Sequence, residues 1–274
     1  MKTLYISDLD GTLLNNQVEV SEYTKQTINK CVDAGAVFTV ATARTIATVS
    51  QMLEGIHINA PVVLMNGALI YDMEKKNYVH ICPIEKMGLE QLLCSMKAHN
   101  MTGFVYTVSD HQMHTYHEEL KNPWQKAFRE ERIKKYQKEF TQVEDLHTIL
   151  DQTVVYVSLF AKKEELDPVY EEIKDRKDLG CAYYQDIYSE DLWYLEICSS
   201  EASKYHALMF LREYLKPEYV VAFGDNTNDL PLFEACDYKV AVANAKEPVR
   251  KAANELTEKN TDDGVARFLV EHFL

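Results

Sequence analysis

Two short β-prone runs lie far apart in the chain, Thr3–Ser7 and Tyr219–Phe223. Each breaks off into polar residues, Asp8-Leu9-Asp10-Gly11-Thr12 after the first and Gly224-Asp225-Asn226-Thr227-Asn228-Asp229 after the second. Short apolar runs bounded in this way read as strands buried on both faces of a parallel sheet. Ligands of such sheets bind beyond the carboxyl ends of the strands, where both acidic clusters would fall. The residues between support the same class. Ser21 reads as a helix N-cap, Ile28, Cys31 and Val32 keep helical spacing, and Gly35 is a stop. A buried strand at Val37–Ala41, a helix over 45–54 and a strand over 61–65 follow. Strand, helix, strand, helix, strand predicts a doubly wound, mostly parallel, Rossmann-like α/β sheet.

The pattern changes near Pro83. A helix over 85–99 leads into two β-rich segments (104–108 and 112–116), a charged helical stretch over 118–138 and a strand over 154–160. A helix over 163–176 and strands over 181–185 and 192–197 complete this stretch. Alternation returns from Ser203, with a helix over 204–215, the strand 219–223, a short strand over 239–242 between helices, and a terminal helix after Gly264. The expected organisation is a core of residues 1–82 and 198–274 interrupted by an inserted α+β domain, 83–197. A length of 274 residues suits two such domains. His111, His114 and His117 recur every third residue, which on a strand puts neighbours on opposite faces. They read as partly exposed loop or strand histidines rather than as a metal site.

Charge narrows the function classes. With 29 basic against 43 acidic residues the net charge is −14, which repels nucleic acid and anionic lipid. No nucleic-acid or membrane partner is expected. No apolar stretch approaches the ~20 residues of a membrane span, and the N-terminal residues meet charge too early for a signal peptide, so a cytoplasmic address is expected. The six cysteines are scattered without metal-ligand spacing, and most should be small buried hydrophobes.

Asp8 and Asp10 at one strand end and Asp225 at another would form an oxygen-rich site suited to Mg²⁺. Gly11 permits a sharp turn, and Thr12 follows it. Thr42 and Arg44 come just after the strand 37–41, where a hydroxyl and helix amides can bind a phosphoryl oxygen. Lys204 could place an ammonium in the same cleft. Singly, each has a plainer reading: acid pairs that cap turns, an Asx-rich helix cap at 224–229, a solvated helix lysine. Jointly they answer one physical problem. A carboxylate meeting a phosphate costs about 4 kcal/mol per unit charge pair at 4 Å and an effective dielectric of 20, and a divalent cation plus a lysine offsets that cost.

At these residues the chain resembles the haloacid dehalogenase (HAD) superfamily, in particular its Cof-type hydrolases with a type IIB cap. Asp8-Leu-Asp-Gly-Thr-Leu-Leu14 is similar to the first motif, Thr42-Ala-Arg44 to the second, Lys204 to the third and 224–229 to the fourth. Met65-Asn-Gly-Ala68, Ala243-Asn-Ala245, Glu247-Pro-Val249 and Asp263-Gly-Val265 match secondary signatures. The resemblance implies a Mg²⁺-dependent phosphatase of small phosphate monoesters, sugar phosphates first, working through an aspartyl-phosphate on Asp8, with Asp10 as acid and base. It implies Mg²⁺ held by Asp8, the Asp10 carbonyl and Asp225, and phosphoryl oxygens held by Thr42, Arg44, Lys204, Asn228 and the amides after Asp8. Asp229 would orient Lys204. Ala43 stands where glycine is common, and Tyr205 follows Lys204 where glycine is often found; Tyr205 reads first as a packed helix aromatic. A nucleotide monophosphatase, a phosphomutase and a non-enzymatic phosphometabolite sensor stand as alternatives. Specificity is expected around 110–130 and 183–194, where Tyr183, Tyr184, Tyr188, Trp193 and Tyr194 either stack on a substrate or pack the cap sheet.

Overall fold

A computed structural model describes every residue except Met1, Ile187, Tyr188 and Glu190. The chain divides into two compact units, Met1–His80 with Ser203–Leu274, and Ile81–Ala202.

The first unit starts with β1 (Thr3–Ser7), buried along its whole length. A tight turn over Leu9–Leu13 follows, and then α1 (Glu22–Asp33), whose N-cap is Ser21: its hydroxyl accepts the Thr24 N–H at 3.0 Å. α1 ends just before Gly35, which takes φ +102°. β2 (Val37–Val40), α2 (Ile46–Met52) and β3 (Val62–Leu64) come next. β3 departs from the expected place in the main sheet. It pairs antiparallel with β4 (Leu69–Asp72) in a small sheet of order β3-β4-β5, with β5 at Asn77–Ile81. A single parallel bridge, Ala41 to Val63, ties it to the end of β2. Sequence reading misses β4 and β5 because they are short and mixed in polarity. Their turn is set by Asp72, whose side chain accepts the N–H groups of Glu74 and Lys75.

The second unit holds α3 (Lys86–Ala98), β6 (Phe104–Ser109), β7 (Gln112–His117), α4 (Pro123–Tyr136), β8 (Thr141–Gln142), β9 (Val154–Ala161), α5 (Lys163–Ile173), β10 (Leu179–Gln185) and β11 (Trp193–Ser199). Its sheet runs β10-β11-β9-β6-β7-β8. Leu89, Leu92 and Leu93 of α3 and Leu166 and Val169 of α5 cover the face carrying Val105, Val157, Leu195 and Ile197. Each fully buried aliphatic side chain there contributes about 1.5–3 kcal/mol. α4 starts at Pro123, later than expected, because Asn122 caps it and proline suits the first helical position. His117 corrects the expectation of exposure. It is 2% exposed and its Nδ1 bonds the Glu118 carbonyl at 2.7 Å, whereas His114 pairs with the Ser109 hydroxyl.

The tyrosines divide by strand parity. Tyr183 and Trp193 pack onto the helix-covered core, and the Tyr183 hydroxyl donates to Asp167 at 2.7 Å. Tyr184 and Tyr194 stack on each other on the opposite face, 5.6 Å between centroids. Tyr188 lies outside the described residues.

The chain then completes the first unit with α6 (Lys204–Leu215), β12 (Tyr219–Gly224), α7 (Leu230–Ala235), β13 (Tyr238–Val242), α8 (Glu247–Ala252), β14 (Glu255–Thr257) and α9 (Gly264–His272). Its main sheet is fully parallel, β14-β13-β12-β1-β2. Ala207, Leu208 and Leu211 of α6 bury one helical face against Leu4, Ile6, Val220 and Ala222. The fold is thus an α/β Rossmann-like core with an inserted α+β cap. Cys31 and Cys82 are buried, Cys94 is exposed, the other cysteines are half-buried, and all are free thiols.

Candidate active site

The strand order β12-β1-β2 brings three chain-distant loops to one edge of the first unit. Ser7 lies opposite Phe223 on one side and Val40 on the other, so Asp8, Asp225 and Thr42 leave adjacent strand ends. The Asp8 N–H bonds the Phe223 carbonyl at 3.0 Å, which holds the first turn against β12. Gly11 has φ +79°, and a Cβ there would lie 2.5 Å from Asp225 Oδ2, so both conformation and space require glycine. Next to it, the Thr12 hydroxyl donates to Asp225 Oδ1 at 2.8 Å.

Lys204 opens α6 and is buried, 2% exposed. Its Nζ bonds Asp8 Oδ1 at 2.5 Å and Asp229 Oδ1 at 2.6 Å. The approach of α6 is set by Ser203, its N-cap, and by Gly67, whose absent Cβ would lie 2.2 Å from the Ser203 carbonyl oxygen. Met65, Asn66 and Gly67 all take positive φ. Their turn also reaches the second loop, since the Asn66 N–H bonds the Thr42 carbonyl at 3.0 Å. Asp229 is fully committed inside the protein, its Oδ2 accepting the N–H groups of Asp225 and Asn226.

The ordered match of sequence motifs therefore becomes a spatial cluster for Asp8, Asp225, Asp229 and Lys204, with Gly11 and Thr12 packed on Asp225. Thr42 is buried and its hydroxyl accepts the Arg44 N–H at 3.2 Å. Asp10 is not in the cluster. Its exposed carboxylate is forked by Arg44, with Nε at 2.7 Å and Nη2 at 2.6 Å. Asn228 is exposed, with its amide 3.4 Å from Asn66 Oδ1. Asn66 enters sequence reading only through a family signature, and no spacing rule points to its side chain. Tyr205 packs against the core of its unit as a helix aromatic.

Electrostatics favour added positive charge. Asp8, Asp225 and Asp229 each bring a carboxylate oxygen within 4.8 Å of the others, against one ammonium. Burial, then Asp229, pushes the Asp8 carboxyl well above its ordinary range, despite Lys204. Burial likewise raises Asp225 to about 6. Burial alone would depress Lys204, but Asp229 and Asp8 outweigh it and hold its pKa above the ordinary lysine value. Among the described residues, Asp8 Oδ2 and Asp225 Oδ2 take no hydrogen bond from the protein. A surplus of buried carboxylate charge, with open oxygen donors on two side chains, fits a hard divalent cation such as Mg²⁺.

Comparison with known proteins agrees with the motif order. The sequence profile of the haloacid dehalogenase-like hydrolases matches residues 5–269. The chain is 28% identical to the 5-amino-6-(5-phospho-D-ribitylamino)uracil phosphatase YitU of Bacillus subtilis, over 97% of this chain and 96% of that one. It is 26% identical to the pyridoxal phosphate phosphatase YbhA of Escherichia coli, over 97% of both. A crystal structure from Thermotoga maritima superposes with a TM-score of 0.79 at 25% identity, covering 99% of this chain and 97% of that one. The chain belongs to the haloacid dehalogenase-like hydrolase family and is a phosphatase of that family.

Proposed function

We propose that the chain is a Mg²⁺-dependent phosphatase of small sugar-type phosphate monoesters, with Asp8 as nucleophile. The observation that carries this reading is the Asp8 carboxylate itself. It is buried at a strand end, fixed through one oxygen by Lys204 and open at the other. In the first step an Asp8 carboxylate oxygen bonds to phosphorus as the bond from phosphorus to the alcohol oxygen breaks, and Asp10 gives the alcohol oxygen a proton. In the second step Asp10 takes a proton from water as the water oxygen attacks phosphorus, which releases phosphate and restores Asp8. Each oxygen of Asp10 accepts one bond from Arg44, so the guanidinium stands beside the proposed acid–base group. The phosphoryl group is the anion that would draw Arg44 away. Thr42, Lys204 and Asn228 hold the remaining phosphoryl oxygens, and Asp229 orients Lys204. Mg²⁺ would be held by Asp8, the Asp10 carbonyl and Asp225, and supplies positive charge that offsets carboxylate–phosphate repulsion.

The relatives support a small-molecule substrate, since one is named for a phosphoribityl compound and another for pyridoxal phosphate. Both names describe a phosphate ester of a compound that carries a nitrogen heterocycle. They favour a second reading in which a nucleotide or another heterocyclic monoester is taken.

Phosphate release from p-nitrophenyl phosphate and a panel of sugar, nucleotide and heterocyclic phosphates, with Mg²⁺ and with EDTA, tests the proposal. Release is expected only with Mg²⁺, fastest on a sugar phosphate. Equal rates in EDTA would overturn the metal assignment, and a heterocyclic ester at the head of the panel would favour the second reading.

Asp10→Asn probes the acid–base role. With alkyl phosphates the variant should lose roughly 10²–10⁴-fold in kcat. With p-nitrophenyl phosphate, whose leaving group needs little protonation, it should give a burst of about one equivalent of nitrophenolate and then stall. Full turnover on alkyl phosphates would remove Asp10 from the mechanism.

A further inference from the structure

The secondary signature Ala243-Asn244-Ala245 has no part in the chemistry above, yet the loop between β13 and α8 reaches both acidic loops. Asn244 Nδ2 donates to the Gly11 carbonyl at 2.8 Å. Two residues on, the Lys246 N–H donates to the Asp225 carbonyl at 2.8 Å. Asn244 is itself held, because its Oδ1 accepts the Asn260 N–H at 2.9 Å. Asn260 Nδ2 in turn donates to the Leu14 carbonyl at 2.8 Å, at the far end of the same turn. The turn that carries Asp8 and Asp10 is thus clamped at two carbonyls by side chains from the C-terminal part of the chain.

The peptide plane makes the Gly11 contact consequential. In a trans peptide the carbonyl and the following N–H point in opposite directions, so the bond from Asn244 sets the direction of the Thr12 N–H. Gly11 is the residue least able to hold one conformation by itself. Its φ of +79° and its contact with the Asp225 carboxylate leave the orientation of this peptide to outside contacts. Asn244 supplies one, and the same loop fixes the backbone of Asp225.

We infer that Asn244 is a positioning residue, which holds the Gly11–Thr12 peptide, and with it the Asp8 turn, in register with the Asp225 loop. Its kinetic consequence rests on the proposed reaction, but the brace itself does not. Asn244 touches neither Asp8 nor Lys204 through any hydrogen bond among the described residues.

The test uses the full chain and two variants. Asn244→Asp keeps the acceptor for Asn260 but loses the donor to Gly11, and Asn244→Ala removes both without adding charge. Two readouts are taken: amide hydrogen exchange of peptides spanning 8–14 without metal, and kcat and KM for p-nitrophenyl phosphate with Mg²⁺. The inference expects exchange in 8–14 to rise at least about tenfold in both variants, with peptides of β1 and β12 unchanged. It also expects kcat to fall about 10–100-fold with KM within threefold and with little change in melting temperature. Unchanged exchange in 8–14 overturns the brace. Raised exchange with full kcat per folded molecule overturns the positioning role. If the wild-type chain releases no phosphate, the proposed function fails, and the exchange result still decides the brace.

Discussion

Asp8→Asn should abolish phosphate release, with kcat lower by roughly 10⁴–10⁶-fold, the scale seen when a nucleophile is removed from an otherwise intact site. The same change should make the metal-free protein more stable. Three carboxylates share one ammonium there, and burial makes ionisation of Asp8 costlier in the folded chain than in the unfolded one. An acid whose folded pKa lies above its unfolded value withdraws stability once pH rises through that folded pKa. For Asp225, raised by burial to about 6, the loss develops between about pH 4 and 6 and is complete above. The wild-type melting temperature in EDTA should therefore climb as pH falls from about 6 towards 4. With Mg²⁺ the climb should flatten, and in Asp8→Asn it should shrink even in EDTA. Identical pH slopes in EDTA and Mg²⁺ would show that these carboxylates are not the cation's ligands, and an active Asp8→Asn would remove the nucleophile.

The second large effect is on stability. Lys204→Met replaces a buried ammonium with a side chain of similar length and leaves Asp8 and Asp229 facing each other without their shared cation. Breaking a buried ion pair on one side typically costs about 3–5 kcal/mol, a large share of the marginal stability of a natural protein. The urea midpoint of the metal-free variant should fall accordingly, and Mg²⁺ should recover part of the loss by supplying charge to Asp8. Turnover should drop even where the variant is folded. A midpoint equal to that of the wild type would mean that Lys204 does not compensate these carboxylates in solution.

Much of the fold was legible because its strands are short, apolar and sharply bounded. β1 ends where Asp8 begins, Ser21 caps α1, and α6 starts at Lys204. In each, a local rule decides the boundary: burial of an apolar run, a hydroxyl for an unsatisfied amide, a capping serine. β3 was legible as a strand but not as a member of the small antiparallel sheet, because pairing partners are chosen by three-dimensional context. Helix propensity in the charged residues before Pro123 extends the expected helix too early, whereas Asn122 and Pro123 mark the start of α4.

The candidate site follows the same division. By itself the sequence put two acid clusters after buried parallel strands, at the ends where such sheets bind ligands, and the family resemblance joined Thr42 and Lys204 to them. Only the tertiary structure decided how these groups are shared out. It gave Lys204 to Asp8 and Asp229, committed both oxygens of Asp229 to internal bonds, set Arg44 on Asp10, and brought Asn244 to Gly11. Those pairings join residues up to 233 positions apart. A hydrogen bond depends on a few tenths of an ångström and on direction, which is information held by the packing of the sheet and its helices rather than by any local run of residues.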